Sequence, residues 1–270
     1  MTKLLLLQLL TWNVYMLPFP IKISRQTDRS VEIAKQMEKS TYDFVIFQEA
    51  FADYFVEDVT RALRSKMPYI YHLKKGPGIT KFFNAGLLMF SRYPFKVLGE
   101  KYFENCAIAD CFASKGVVLV ELTVEEKKVQ LAVTHMQASS EPKMRVIRGQ
   151  QLEVIKSLLK THEKAGIPQL LLGDLNIDGL GHDEYPEALA HMQMKALPLI
   201  GERSSSVATE TDCFGLDNST KLQRLDHIWI RQGVTLHNDS NQKIYPIKGI
   251  INKRPCDLSD HLPVTATLVL

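Results

Sequence analysis

No stretch of this 270-residue chain approaches the roughly 20 consecutive apolar residues that a membrane-spanning helix needs. The amino-terminal run "MTKLLLLQLL" comes nearest in character, but it is too short and no small-residue cleavage site follows it. It reads as a first core strand, and any export leader would precede Met1. A dominant charge is missing as well: 33 Lys and Arg oppose 30 Asp and Glu, a net +3. That leaves no broad field for gripping a polyanion and argues against nucleic acid as the partner. Cysteine is scarce. Cys106, Cys111, Cys213 and Cys256 show no C-x-x-C pairing, which excludes a structural zinc cage. Cys106 and Cys111 can bridge if the chain between them turns back, and free thiols fit equally well. No Gly-x-Ser-x-Gly or Walker-type loop occurs, and no repeat or Pro/Gly/Ser-rich linker divides the chain. Residues 1–270 are therefore expected to form one domain, with a monomer as the default.

What is present is a series of short apolar runs: "DFVIFQ", "YIYHL", "GLLMFS", "VVLVEL", "VQLAVTH", "QLLLGD", "LDHIWI" and "VTATLVL". Several are continuous rather than alternating, as in strands buried on both faces. Two segments carry helical period. In "DRSVEIAKQMEKS", Ile33 and Met37 lie four apart with Asp28 as a candidate cap. In "RGQQLEVIKSLLKTH", the residues Ile147, Val154, Ile155, Leu158 and Leu159 share a face. Turns are marked by "KGPG" and "DGLG". The pattern predicts mixed sheets with helices outside.

The apolar runs end, again and again, in side chains fit for metal or proton chemistry. The first is followed by Asn13, "DFVIFQE" by Glu49, "VQLAVTH" by His135, and "QLLLGDLN" by Asp174 and Asn176. Asp226 opens "LDHIWI", while Asp260 and His261 precede the last strand. A strand-end Asp or Asn is ordinarily a turn former. Six such endings in one chain point instead to a shared site at the sheet ends, where open α/β folds place theirs. A hard divalent cation prefers oxygen ligands. Glu49 is the first choice as direct ligand, supported by Asn13, and alternation would turn Asp174 and Asn176 to one side. A histidine that takes a proton from water works best with a carboxylate on its other nitrogen, which pairs Asp226 with His261. His135 would then face the phosphate or the leaving oxygen. The set describes a phosphate-ester hydrolase.

The ordered motifs "TWN", "QE", "GDLN", "LDHIW" and "SDHLPV" resemble the exonuclease–endonuclease–phosphatase superfamily across nearly the whole chain. The resemblance implies an α/β fold, a four-layer α/β/β/α sandwich of two packed mixed sheets flanked by helices. Within it, "NVYMLP", "FQEAF", "ADCFASKGVVLVEL" and "THMQAS" look like the bacterial-type neutral sphingomyelinases. The acid that repair endonucleases carry two residues after the first Asn is here Tyr15. The tryptophan and Trp-Cys-Asp-Arg features of inositol polyphosphate 5-phosphatases are absent.

That branch implies hydrolysis of sphingomyelin at a membrane surface to ceramide and phosphocholine, with Mg²⁺ as cofactor and Mn²⁺ or Co²⁺ as alternatives. It implies Glu49, Asn13 and, more loosely, Asp260 at the metal. His261 would be the base, Asp226 its orienting acid, and His135 the group at the leaving oxygen. Asp174 and Asn176 would position water and phosphate. It also singles out Asp110 and Lys115 of "DCFASKG" as a pair bearing on substrate access, where a solvated loop ion pair is the plain alternative. A secreted location is implied by the same likeness. The carboxy-terminal stretch that is aromatic-rich in haemolytic relatives has only Tyr245 here, with Lys243, Lys248, Lys253 and Arg254 as headgroup contacts or ordinary surface charge. Phe51, Tyr54 and Phe55 of "FADYF" are expected to pack inside, with a membrane rim as their second reading. The competing functions are another hydrolase of the superfamily, acting on nucleic acid or a different phospholipid, and a non-catalytic module that kept the fold.

Overall fold

Strands whose successive residues are apolar have both faces covered, and this is what the computed structural model shows; it describes residues 5–21, 25–79, 81–208, 221–231, 233 and 236–270. The first four residues of the amino-terminal run and Cys213 lie outside the described residues. Two six-stranded mixed sheets pack face to face. In chain order the first sheet takes β1 (Leu6–Met16), β2 (Phe44–Ala50), β3 (Tyr69–His72) and β4 (Leu88–Ser91), then β11 (Asn241–Ile244) and β14 (Val264–Val269). Its spatial order is β11-β14-β1-β2-β4-β3. The second takes β5 (Phe95–Tyr102), β6 (Gly116–Val124), β7 (Lys127–His135), β8 (Gln169–Asp174), β9 (Met194–Ala196) and β10 (Asp226–Arg231), ordered β5-β6-β7-β8-β10-β9.

Each sheet holds one parallel pair, β1–β2 and β7–β8, and every other pairing between these strands is antiparallel. A parallel pair needs a crossover. Helix α1 (Gln26–Lys39) supplies it between β1 and β2, and α3 (Pro142–Thr161) between β7 and β8. The carboxyl ends of both pairs point to the same end of the sandwich, and there the strand-end polar residues gather.

The inter-sheet core contains Leu7, Leu9, Phe44, Ile46, Val118, Val120, Leu131, Val133, Leu170 and Leu172, all fully buried. Alternate residues face outward onto helices. Trp12, Val45 and Phe47 meet Ile33 and Met37 of α1 and Phe55 and Val59 of α2 (Asp53–Leu63). Val117, Leu119, Leu171 and Trp229 meet Leu152, Ile155 and Leu159 of α3, beside α4 (Glu184–Met192). The result is the expected α/β/β/α sandwich.

Details differ from the sequence reading. Asp28 does not cap α1: Arg25 occupies that position in a left-handed conformation, and Asp28 sits in the first turn, 3.2 Å from the Arg25 guanidinium. Ile147 and Val154 flank the buried face of α3 instead of centring it. Helix α2 takes up the last three residues of "FADYF": Phe55 is buried, Tyr54 accepts a hydrogen bond from Gln26 Nε2 at 2.8 Å, and Phe51, ahead of the helix, is half-buried. Cys106 and Cys111 form a disulfide, closed by the 3₁₀ turn at Ile108–Phe112. β12 (Lys248–Ile251) and β13 (Arg254–Asp257) make a separate hairpin, turned through Asn252 and Lys253 at positive φ and laid against α1.

Candidate active site

The site begins with strand register. Pairing of β7 with β8 sets His135 opposite Asp174, and pairing of β8 with β10 sets Asp174 opposite Asp226. On the other sheet β1 and β2 bring Asn13 beside Gln48, one residue before Glu49. The two sets meet through Asn13, whose Nδ2 donates to Glu49 Oε1 and to Asp174 Oδ2, each at 3.0 Å. Its own Oδ1 accepts from the Tyr15 N–H at 3.1 Å, so Asn13 enters the cluster as a donor to two acids.

Three site-bearing segments adopt left-handed backbone at non-glycine residues: Tyr15 (φ 50), Glu49 (φ 54) and Asn176 (φ 52). Each costs on the order of 1 kcal/mol or more and persists only where the surroundings dictate it. Asx hydrogen bonds hold the first and last of these turns, Tyr15 N to Asn13 Oδ1 and Asn176 N to Asp174 Oδ1 at 2.9 Å. The segment "GDLN" is therefore not extended through Asn176 as alternation implied. The turn points Asn176 Nδ2 to the Met136 carbonyl at 3.2 Å.

His261 Nδ1 lies 2.8 Å from Asp226 Oδ2. The carboxylate thereby holds the proton on Nδ1 and leaves Nε2 4.0 Å from Asp174 Oδ2. Asp226 is itself anchored by the Ser206 hydroxyl at 2.7 Å. Burial disfavours the His261 cation, but Asp226, Asp174 and Asp260 outweigh it and raise its pKa well above the usual value. The loop before β14 is fixed from behind: Ser259 Oγ donates to the Asn13 carbonyl at 2.6 Å, and Trp12 Nε1 to the His261 carbonyl at 2.8 Å.

On the opposite side His135 Nε2 lies 3.0 Å from Lys115 Nζ and 3.5 Å from Asp174 Oδ2. Burial and then the Lys115 charge push its pKa down to about 3, so the ring is neutral at ordinary pH. The buried Lys115 also bonds Asp110 Oδ1 at 2.8 Å and the Met136 carbonyl at 2.9 Å. Asp110 Oδ2 accepts from the Ala138 N–H at 2.7 Å. The pair in "DCFASKG" is thus a buried connection from the disulfide-closed loop to His135, which the solvated-loop alternative does not describe.

The structure brings Asn13, Glu49, Lys115, His135, Asp174, Asp226 and His261 together. Asp260 stands beside them: its charge acts on Glu49, and its Oδ1 is 3.1 Å from Ser259 Oγ. Burial, followed by that Asp260 charge, lifts the Glu49 pKa to about 7 against the opposing Asn13 hydrogen bond. Among the described residues, Glu49 Oε2 and Asp226 Oδ1 are buried without a hydrogen-bond partner. Unbalanced acids with open oxygens fit a hard divalent cation. Asp174, Asp226 and His261 also lie close enough to share an ion. Asp226 Oδ2 already holds His261 Nδ1, whereas Glu49 Oε2 stays open toward the site.

Two supporting residues escaped the sequence reading. Arg29 is fully buried in α1 and donates to the carbonyls of Val14 (3.0 Å), Tyr15 (2.8 Å) and Leu258 (2.9 Å), tying the turn after Asn13 to the loop before Asp260. Burial lowers its pKa to about 10, which still leaves it charged at neutral pH. Its signal was in the chain: Arg29, Ile33 and Met37 share one helical face. Ser206 had no signal, since "SSS" is ordinary loop composition.

The profile of the Endonuclease/Exonuclease/phosphatase family matches residues 10–261. A Drosophila melanogaster protein provisionally named a neutral sphingomyelinase is 26% identical over 290 residues, covering 99% of this chain and 61% of its own length. Sphingomyelinase C of Leptospira interrogans is 26% identical over 217 residues, covering 72% of this chain and 38% of its own length. The chain thus spans under two thirds of either relative. Among solved structures, a Staphylococcus aureus beta toxin mutant with bound magnesium ions superposes with a TM-score of 0.82 at 21% identity, over 96% of this chain and 98% of that one. Sphingomyelinase C from Streptomyces griseocarneus gives 0.82 at 22%, over 97% and 99%. At such identities the structural likeness speaks to the fold.

Proposed function

The chain belongs to the endonuclease/exonuclease/phosphatase family, and from that premise we propose that it is a magnesium-dependent phosphodiesterase that hydrolyses sphingomyelin to ceramide and phosphocholine. The observation that carries the reading is the Asp226–His261 dyad opening onto the acids Asp174 and Glu49, in a chain whose relatives are named sphingomyelinases. Glu49 holds the cation, with Asp260 contributing charge and Asn13 fixing the Glu49 carboxylate. When bound, the magnesium ion supplies Lewis-acid polarisation of the phosphate.

The remaining chemistry belongs to side chains of this protein. His261 Nε2 takes a proton from the attacking water while Asp226 stabilises the imidazolium that results. Asp174, anchored by Asn13, orients that water, and Asn176 lies beside the phosphate. The water oxygen forms the new bond to phosphorus as the bond to the ceramide oxygen breaks. On that side Lys115 presents its ammonium and His135 a neutral ring, and this pair meets the departing oxygen, which leaves as the alcohol after taking a proton. The resemblance left His135 either to stabilise that oxygen or to supply its proton, and the neutral ring fits the first role. Beside Lys115 it holds none to spare, so the ammonium is the better source.

The Cys106–Cys111 disulfide supports action in an oxidising, extracellular setting, and the protein is taken to work as a monomer. Among the described residues no helix is long and apolar enough to cross a membrane. The test is phosphocholine release from sphingomyelin in mixed micelles with Mg²⁺ and with EDTA, beside supercoiled DNA. Metal-dependent release with intact DNA is the expected result. Nicked DNA with inert lipid would move the protein to a nuclease branch.

A further inference from the structure

Large apolar side chains exposed to water are costly, and a cluster of them marks a surface that something covers. Among the described residues such a cluster stands at the catalytic end of the sandwich. Phe19 is 82% exposed, Ile79 99%, Phe82 62% and Ile108 64%, joined by Ile21 and Phe112. They come from three separate connections: β1 to α1, β3 to β4, and β5 to β6. Each is anchored near the site. The backbone N–H groups of Phe82 and Phe83 donate to the Phe112 carbonyl, and the Phe82 and Phe112 rings lie 5.7 Å apart. Beside them a groove of about 690 Å³ is lined by Phe19, Ile21, Phe51 and Phe82 together with polar residues that include Arg25 and Asp53. Phe51 follows Glu49 by two residues, and Lys115 follows Phe112 by three.

We propose that this three-loop rim, rather than the β12–β13 hairpin, seats the protein on the surface of a phospholipid bilayer, with Phe19, Ile79 and Phe82 entering the headgroup–acyl boundary. The inference rests on the sphingomyelin reading and deepens it. Continuity with the catalytic end identifies the occupant. A substrate whose phosphate must reach Glu49 and His261 keeps its acyl chains beside that phosphate, and the apolar rim and groove lie where those chains emerge. Exposed Lys74 and Lys75, which precede Ile79 in the same connection, complement lipid phosphates. The hairpin offers far less: Ile250 is its one large exposed hydrophobic residue.

The test uses the full chain and large unilamellar vesicles of phosphatidylcholine and sphingomyelin. Sedimentation with vesicles is measured in EDTA, where no turnover occurs. Phosphocholine release is then measured with Mg²⁺, on vesicles and on a short-chain sphingomyelin dissolved as monomers. The double variant Ile79→Asp/Ile108→Asp, which leaves the groove lining intact, should lose at least tenfold in vesicle binding and in vesicle turnover, and keep monomer turnover within twofold. Ile79→Ser, which alters only a fully exposed side chain, should lose a smaller share, and Ile250→Asp should change binding less than twofold. Unchanged vesicle binding in the double variant, or equal losses on vesicles and monomers, would overturn the proposal. So would a wild-type dimer in sedimentation velocity that the double variant abolishes, because the face would then belong to a second copy. If the wild type binds vesicles through this rim yet hydrolyses sphingomyelin in neither form, docking stands and the substrate reading fails. If it hydrolyses monomers but does not sediment with vesicles, docking fails and the substrate reading stands.

Discussion

His135 and His261 both sit where a core strand meets the candidate site, and both lie within 4.0 Å of Asp174, yet their surroundings move their proton affinities in opposite directions. Burial disfavours the cation in both. At His135 the Lys115 ammonium adds to that penalty and the ring stays neutral. At His261 the carboxylates of Asp226, Asp174 and Asp260 reverse it. Desolvation is therefore the shared background, and the nearest charge decides the role. In the proposed mechanism one flank receives a proton and the other supplies one.

Removing the proton-accepting flank should have the largest effect. His261→Ala is expected to lower kcat by about 10²-fold or more, the usual weight of a positioned base; near-normal turnover on mixed micelles would remove His261 from that role. Removing the cation from the other flank comes next. Lys115→Met should lower kcat by roughly tenfold to 10²-fold and move the His135 titration upward from about 3, followed by NMR of the metal-free protein. A His135 titration that stays put would show that burial alone sets it. Between the flanks, Glu49→Gln should raise the Mg²⁺ concentration for half-maximal activity by about tenfold. It should also diminish the protons released when Mg²⁺ is added near pH 7, because Glu49 titrates at about 7.

The smallest effect is on stability in EDTA, and its sign separates the two rings. His135 has a folded pKa below its usual 6.5, so its contribution is present above that pH and declines as pH falls toward 3. His261 has a raised folded pKa, so its contribution is full below 6.5 and is lost as pH rises through the folded value. Urea midpoints across pH should accordingly flatten on the acid side in His135→Gln and on the neutral-to-alkaline side in His261→Gln. The same change in both variants would mean the rings are not electrostatically distinct.

The two flanks were also unequally legible in the chain. Asp226 and His261 stand in "LDHIW" and "SDHLPV", each next to a strand run, so their pairing followed from what a histidine base needs. The Asp110–Lys115 pair was visible as spacing, but its contact with His135 was not. That contact requires β6 to lie beside β7, which sets Val117 opposite Thr134 and brings Lys115 alongside His135. Helix α2 was hidden because "FADYF" reads as an aromatic cluster before it reads as a helix start. Asn176 was placed by strand alternation, which fails where the chain turns left-handed.

Local chemistry determined the catalytic inventory, because apolar runs bounded by Asn, Glu, Asp and His can be recognised without knowing where they go. It also determined the layered architecture, since a continuous apolar strand has to be covered on both faces. Tertiary structure decided which of those groups carry charge. The proton affinity of a buried ring depends on neighbours within a few ångströms, and here these are contributed by segments as distant in the chain as Lys115 and Asp226. It decided as well that Phe19, Ile79, Ile108 and Phe82 share one exposed rim, because scattered apolar residues become a surface only when the sheets bring their loops to the same end.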